Sequence, residues 1–189
     1  TYAYDALGQL VRVNDPHENA TWIYNYDRGG NITSKVRYAY TTGTVGTAVE
    51  TIPYAYGDSN WKDKLTAYNG TAITYDAIGN PLNDGSWTYE WAVGRQLKKM
   101  SREGQSLTFK YDHNGMRIQK VLQHDWYPET TNYTYHGKLL THMEVEYYDF
   151  DEVKHTDKLH FFYDAENLAA FVQYNNNVYE YVHNLHRDV

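Results

Sequence analysis

The residues whose types and spacing best suit catalysis or metal binding in this 189-residue chain are carboxylates in its C-terminal third. Asp149, Asp151 and Glu152 cluster, and Glu144 and Glu146 alternate just before them. Paired carboxylates catalyse glycoside hydrolysis, and carboxylate oxygens are ligands of Ca²⁺. The segment lacks the Asp-x-Asp-x-Asp-Gly spacing of a calcium loop. We therefore expect Glu144 and Glu146 to line the solvated face of a strand, and the other three acids to lie in a loop.

Metal and nucleophile chemistry have weaker support. The chain has nine histidines and no cysteine, and its most closely spaced pair, His183 and His186, has no third ligand at zinc-site spacing. None of the serines lies in the strand-to-helix context of a nucleophile elbow. The sequence therefore predicts no catalytic residue, no metal and no cofactor, and the chain is not expected to be an enzyme.

Aromatic side chains are the other candidates, since the chain contains 21 tyrosines and five tryptophans. Aromatic rings can stack on sugars, but aromatic residues at strand period also build the packed face of a sheet. Most of these rings follow a repeated pattern that favours packing. Trp61 and Trp126 fall outside the pattern, so they are the candidates for sugar stacking.

Charge and hydropathy exclude several classes of partner. The formal net charge is −7, acids and bases are interspersed, and no basic tract is present, which argues against a nucleic-acid partner. No apolar run approaches the roughly 20 residues that span a bilayer, so no membrane insertion is expected. The chain starts at Thr1 without an initiator methionine, and we interpret it as a fragment of a longer protein.

The elements that position these side chains are indicated by a short recurring pattern. An aromatic or apolar residue is followed two positions later by tyrosine, then by aspartate, and three positions after that by glycine. The full copies are Tyr4, Asp5 and Gly8; Tyr26, Asp27 and Gly30; Tyr75, Asp76 and Gly79; Tyr111, Asp112 and Gly115; and Tyr163 and Asp164, where Asn167 replaces glycine. Weaker copies are anchored at Tyr56, Trp91, Tyr135 and Tyr181, which gives about nine degenerate repeats.

Each position of the pattern has a physical role in a β-hairpin. Alternate strand residues share one face, aspartate can bond its own downstream backbone to start a turn, and glycine or asparagine accepts the positive φ of a tight reversal. We therefore expect an all-β chain of tandem hairpins of roughly 20 residues each, arranged over residues 1–189 as a single array in one continuous, curved antiparallel sheet.

The copies "YDALGQL", "YDRGGNI", "YDAIGNPL" and "YDHNGMRI" resemble the YD repeats of the RHS family, and the resemblance covers essentially the whole chain. The ending "YEYVHNLHRDV" is similar to the segment that leads towards the C-terminal core of that family, with matches at Asn184, Leu185, Asp188 and Val189 and departures at His186 and Arg187. The resemblance implies a β-sheet strip that winds into a hollow spiral shell. This chain would then be an open segment of such a shell.

The same resemblance implies a function and its partners. In bacterial polymorphic toxins the shell encloses a C-terminal toxin, and related repeats in teneurins act in cell adhesion. We expect a structural segment of a secreted or cell-surface bacterial protein, whose partners are the other repeats of its parent chain and a C-terminal toxin domain. The alternative is a carbohydrate-binding or adhesive module that uses exposed Tyr and Trp. Unpaired sheet edges would also favour self-association.

Overall fold

The computed structural model describes residues 1–124 and 126–182, and every regular element in this part of the chain is a β-strand. The chain divides into two compact units, Thr1–Ser86 and Trp87–Val189. Residues 183–189 lie outside the described residues. They include the His183 and His186 pair and the motif matches at Asn184, Leu185, Asp188 and Val189. No helix in the described part of the chain is long and apolar enough to cross a membrane.

The first unit contains nine strands. They are β1 (Tyr2–Tyr4), β2 (Leu10–Asp15), β3 (Ala20–Tyr26), β4 (Ile32–Ala39), β5 (Glu50–Ala55), β6 (Ala67–Tyr68), β7 (Thr71–Ala72), β8 (Thr74–Tyr75) and β9 (Pro81–Asn83). Strands β1 to β7 pair in sequence order as an antiparallel sheet, whose two edges are β1 and β7. Strands β8 and β9 form a further antiparallel hairpin.

The second unit contains nine strands that are longer on average. They are β10 (Thr88–Ala92), β11 (Gln96–Arg102), β12 (Gln105–Tyr111), β13 (Arg117–Gln123), β14 (Pro128–His136), β15 (Leu139–Tyr148), β16 (Lys154–Tyr163), β17 (Ala169–Tyr174) and β18 (Asn177–Glu180). Each strand pairs antiparallel with the next one along the chain, so there is no crossover among them.

Seven of the hairpins share one irregularity, which falls at the anchor aromatic of the repeat. The register shifts beside Tyr4, Tyr26, Tyr75, Trp91, Tyr111, Tyr135 and Tyr163. A bulge of this kind increases the local twist of a strand pair and re-aims a side chain. The anchor therefore marks the position where each hairpin leaves regular pairing and enters its turn.

Very little of the described chain is enclosed. Among the apolar side chains only Ala20, Val36 and Phe109 are buried, and most strand residues are half-buried. Cross-strand ring pairs supply part of the packing; Phe162 and Phe171, for example, are directly opposite each other with ring centroids 4.5 Å apart. Such pairs, together with the strand hydrogen bonds, hold sheets whose two faces both remain partly exposed.

The all-β class and the series of antiparallel hairpins are confirmed. The strands fall in two open sheets, whereas one continuous sheet was expected. The ladder stops between β7 and β8, which are separated only by Ile73: β7 pairs with β6, whereas β8 pairs with β9.

Candidate functional site

The five full copies of the pattern place their aspartates at the start of identical five-residue turns, which we call the repeat turns. In the first of these turns the Asp5 amide donates to the Gln9 carbonyl at 3.0 Å, and the Gly8 amide donates to the Asp5 carbonyl at 3.1 Å. Asp5 Oδ1 also accepts hydrogen bonds from the amides of Leu7 and Gln9, both at 2.9 Å. The carboxylate therefore satisfies turn amides that would otherwise need water.

The same four hydrogen bonds recur at Asp27, Asp76, Asp112 and Asp164, all between 2.8 and 3.2 Å. The fourth turn residue lies in the left-handed region throughout, with φ between 62° at Asn167 and 89° at Gly30. This arrangement is a type I turn followed by a left-handed residue. It accounts for the aspartates by local hydrogen bonding.

The anchor tyrosines tie each repeat to the one before it. Six tyrosines donate their hydroxyl to a backbone carbonyl of a preceding segment at 2.6 to 3.0 Å: Tyr26 to Leu10, Tyr56 to Ile32, Tyr75 to Leu65, Tyr111 to Leu97, Tyr135 to Arg117 and Tyr163 to Leu140. In five of the six, the accepting residue is the one paired with the preceding anchor; for example, Leu10 is paired with Tyr4 and receives Tyr26.

These bonds use the hydroxyl as a donor, so the tyrosine must stay protonated. Burial is the largest cause of the raised pKa of Tyr56, Tyr75, Tyr135 and Tyr163. These bonds were not predicted from the sequence, although one feature of the repeats indicates them. The position two residues before the anchor varies among Tyr, Ile and Phe in the full copies, whereas the anchor is always Tyr.

A sixth turn of the same kind was missed. Asp149 was expected in a solvated loop, yet its amide donates to the Val153 carbonyl at 3.1 Å, and its Oδ1 accepts from the amides of Asp151 and Val153 at 3.0 and 2.9 Å. Glu152, with φ of 61°, occupies the position that the repeat turns give to glycine or asparagine. The Tyr148–Asp149 dipeptide was the available indication. This turn joins β15 to β16, at the end of the sheet opposite the repeat turns of the second unit.

His155 adds a further interaction to the Asp149 turn. Its Nε2 lies 2.6 Å from Asp149 Oδ2, and this side-chain hydrogen bond is the largest cause of the lowered pKa of the Asp149 carboxyl. The expected strand positions of Glu144 and Glu146 are those found, on β15. Their carboxylates lie near Lys158 and Lys154, at 3.4 and 2.7 Å.

The two tryptophans proposed for sugar stacking have different surroundings. The Trp61 ring lies against the backbone of Gly79 in a repeat turn, where a β-carbon on Gly79 would be 2.5 Å from Trp61 Cζ3. The Trp61 side chain is therefore partly used in packing, although 46% of it is exposed. Trp126 is 84% exposed and lies outside the strands, between β13 and β14.

Trp126 contributes to an aromatic cleft of about 800 Å³ in the second unit. Tyr127 and Tyr148 stack in it with ring centroids 4.6 Å apart, and Phe150 at the tip of the Asp149 turn is fully exposed. We define the aromatic cleft by its lining residues, which are His124, Trp126, Tyr127, Tyr147, Tyr148, Asp149, Phe150 and Glu152. Within residues 1–124 and 126–182, no group of three or more His, Asp or Glu side chains is placed to hold a metal ion.

The comparison that decides the family is with a family model described as teneurin YD-shell, which matches residues 1–186. The chain belongs to the teneurin YD-shell family. The family resemblance inferred from the repeat motifs is thereby confirmed. The repeat turns and the hydroxyl bonds described above are the local structure of its YD repeats in this chain.

Curated relatives include two Bacillus proteins. The chain is 33% identical over 190 residues to the tRNA3(Ser)-specific nuclease WapA of Bacillus spizizenii, and 32% identical over 190 residues to the tRNA nuclease WapA of Bacillus subtilis strain 168. Each alignment covers 98% of this chain and 7% of the relative. The chain thus spans a small part of the length of these proteins.

Among solved structures, a chain of the Photorhabdus luminescens Tc holotoxin pore aligns with 93% of this YD-shell chain and with 14% of its own length. The sequence identity is 12% and the TM-score is 0.32.

Removing one anchor hydroxyl is expected to weaken the second unit measurably. Tyr111→Phe deletes the bond to the Leu97 carbonyl, which is 3.0 Å long, and a hydrogen bond of this kind contributes about 1 kcal/mol to the free energy of unfolding. Urea denaturation followed by tyrosine and tryptophan fluorescence measures the change. The control is Tyr179→Phe, since Tyr179 is 52% exposed; we expect it to change the free energy by less than about 0.5 kcal/mol. Equal effects of the two variants would contradict the proposed contribution of the hydroxyl bond.

Acid is expected to weaken the first unit through Asp58. Lys64 forms an ion pair with Asp58, and the amides of Asn60 and Trp61 donate to its Oδ1 at 2.9 and 3.0 Å. The Lys64 hydrogen bond is the largest cause that lowers the pKa of Asp58 to about 2. Because this pKa lies below the unfolded value of 3.8, the stabilisation is present above pH 3.8 and is lost as the pH falls towards 2.

The measurement is the melting temperature of the protein and of Asp58→Asn between pH 5 and pH 2. The asparagine variant keeps an acceptor oxygen but cannot titrate, so its melting temperature should fall less over this range than that of the unsubstituted chain. Parallel curves for the two proteins would show that Asp58 does not contribute to acid sensitivity.

Proposed function

We propose that this chain is a structural segment in the wall of a YD-repeat shell, and that the shell belongs to a secreted or cell-surface bacterial protein and encloses or presents a C-terminal toxin. The observation that carries the proposal is the serial hydrogen bonding of the repeats, in which six anchor hydroxyls are donated to a preceding segment, five of them to the residue paired with the preceding anchor. This arrangement extends along the chain one hairpin at a time, as in other repeat architectures.

The scarcity of enclosed residues supports the same proposal. Only three apolar side chains are buried among the described residues, while large apolar side chains such as Leu7, Ile78 and Val178 are at least half exposed. A self-sufficient domain usually encloses a larger core. A shell segment does not need such a core if its faces are covered by neighbouring repeats and by the enclosed toxin. Residues 1–189 would then be a single repeat array within a longer protein.

The names of the Bacillus relatives describe tRNA nucleases. Since the match covers 7% of each relative, we place any nuclease activity of such a protein outside the segment that corresponds to this chain. The chain itself is proposed to be non-enzymatic, with its sibling repeats and a toxin domain as partners.

Limited proteolysis of the full-length protein that contains this segment tests the proposal. A protease that cuts the C-terminal region is added, and intact C-terminal region is followed over time by immunoblot. The disrupted variant carries Asp112→Ala and Asp164→Ala, which remove the carboxylates of two repeat turns; the control carries Val178→Ala on an exposed strand position. We expect slow cleavage in the unsubstituted protein and the control, and fast cleavage in the disrupted variant. Equally fast cleavage in all three would refute enclosure.

Carbohydrate binding remains the second candidate, with support confined to Trp126. Its ring is 84% exposed, and exposed aromatic rings are suitable stacking surfaces for sugars. Trp61 supports this function less, because its ring packs on Gly79. Glycan-array binding that is lost in Trp126→Ala and kept in Trp61→Ala would favour this candidate.

The open edges of the first sheet are the proposed sites of self-association. Strand β1 is exposed along its whole length and pairs only with β2 among the described strands, and an uncovered edge offers unpaired backbone groups to another chain. Light scattering over a range of protein concentrations tests this, and a constant monomer mass would contradict it.

A further inference from the structure

We propose that the aromatic cleft binds an organic cation of the quaternary-ammonium type. The inference concerns a ligand site on the second unit and is independent of the proposed shell function. Three features support this ligand class: the aromatic rings that line the cleft, the carboxylates beside them, and the hydrogen bonds that these carboxylates already make within the protein.

The rings come from two connections at the same end of the second unit. The connection from β13 to β14 supplies Trp126 and Tyr127, and the end of β15 with the turn that follows supplies Tyr148 and Phe150. The faces of aromatic rings are negative, so they attract a cation placed over them. Two exposed rings, Trp126 and Phe150, stand beside the stacked pair of Tyr127 and Tyr148, which provides several apolar surfaces around one opening.

Carboxylates add negative potential to the same opening. Asp149 and Glu152 line the cleft, and Glu152 is held at φ 61° in a turn position that the repeat turns fill with glycine or asparagine. A glutamate in the left-handed region is strained, and such strain concentrates at functional sites. A side-chain hydrogen bond with Glu152 is also the largest cause of the raised pKa of Tyr127, which places that carboxylate beside the stacked rings.

The nearby basic side chains of Lys154 and His155 contact carboxylates, and His124 lines the cleft itself. Lys154, the first residue after the turn, lies 2.7 Å from Glu146, and His155 bonds Asp149 at 2.6 Å. Among the described residues, no lysine or arginine lines the cleft. The chain as a whole has a formal charge of −7, so long-range electrostatics also favour a cationic ligand.

The engaged polar groups favour a quaternary ammonium over a sugar. Asp149 Oδ1 accepts two turn amides and its Oδ2 contacts His155, while Glu152 interacts with the Tyr127 hydroxyl. A sugar loses water from many hydroxyls and needs donors and acceptors to replace it. A quaternary ammonium has no hydrogen-bonding group on its charged end, so ring faces and negative potential are sufficient.

The test compares choline with its neutral isostere 3,3-dimethylbutan-1-ol, with both titrated into the intact chain and followed by ligand-observed NMR. We expect choline to bind roughly 10-fold more tightly than the isostere, as one or two cation–π contacts would give. Trp126→Ala, Phe150→Ala and Glu152→Gln should each weaken choline binding by roughly 3- to 10-fold, and Val178→Ala on β18 should leave it unchanged. Circular dichroism verifies that each variant is folded.

Each other outcome overturns the proposal. Equal affinity for choline and the isostere would show an apolar groove with no selectivity for charge. Binding of chitin or glucan oligosaccharides without choline binding would assign the cleft to sugars. Failure of both choline and the isostere to bind at tens of millimolar would show that the cleft is not a site for such ligands. Choline binding that is unaffected by Trp126→Ala and Phe150→Ala would place the site elsewhere.

Discussion

Gly79→Ala should destabilise the first unit by about 2–4 kcal/mol. Gly79 has a φ of +86°, and a β-carbon there would be 2.5 and 2.9 Å from Trp61 Cζ3 and Cη2. The substitution therefore has two costs. Alanine is strained in the left-handed region, and its β-carbon overlaps the Trp61 indole ring, which must move. The change in the free energy of unfolding is measured by urea denaturation.

Gly70→Ala is the matched control in the same unit. Gly70 has a φ of +80°, and a β-carbon at this position would have no atom within 4 Å, so only the backbone strain of about 1 kcal/mol applies. The double variant Gly79→Ala with Trp61→Ala should be less destabilised than the sum of the two single variants, since the overlap is gone. Additive effects, or equal effects at Gly79 and Gly70, would show that the Trp61 contact does not constrain this turn.

Asp76→Ala should also destabilise the first unit, by about 2 kcal/mol. Its Oδ1 accepts hydrogen bonds from the amides of Ile78 and Asn80 at 3.0 and 2.8 Å, and its Oδ2 accepts from Asn80 Nδ2 at 2.8 Å. Asn80 is only 2% exposed, so water cannot readily replace the lost acceptor. The free energy of unfolding is again obtained from urea denaturation.

Two comparisons separate the contribution of the backbone hydrogen bonds of the turn from that of the hydrogen bond to the buried Asn80 side chain. Asp5→Ala removes the same two backbone bonds from an exposed turn, and we expect a loss of about 1 kcal/mol. Asp76→Asn keeps an oxygen for the backbone amides and should recover part of the stability. If Asp76→Ala costs no more than Asp5→Ala, the bond to the buried Asn80 side chain contributes nothing measurable.

Much of the fold follows from the spacing of a few residue types. Tyrosine, aspartate and glycine at fixed offsets predict a strand end, a turn start and a left-handed residue. These three conformational preferences are set by residues close in sequence and need no contact with distant residues. The decayed copies at Tyr56 and Tyr135 keep the anchor tyrosine, and both make the same kind of hydroxyl bond as the full copies. Membership of the YD-shell family follows from the repetition.

What the sequence did not predict depends on contacts between repeats. The acceptors of the anchor hydroxyls are backbone carbonyls 10 to 24 residues away, and a carbonyl has no residue-type signature. The Asp149 turn was not predicted because its fourth residue is Glu152, whereas the repeat pattern has glycine or asparagine at this position. The aromatic cleft depends on two connections meeting at one end of the second unit, which requires the strand order and register and not only the motif.

A cryo-electron microscopy structure of the full-length protein that contains this segment would show directly whether the segment is part of a shell wall. We expect the two sheets of this segment to form part of a wall of consecutive hairpins, with the anchor hydroxyls in contact with the preceding segments. We also expect the wall to border an enclosed volume that contains the C-terminal region. A segment that instead stands apart as a separate globular module, with the C-terminal region in open solvent, would contradict this expectation.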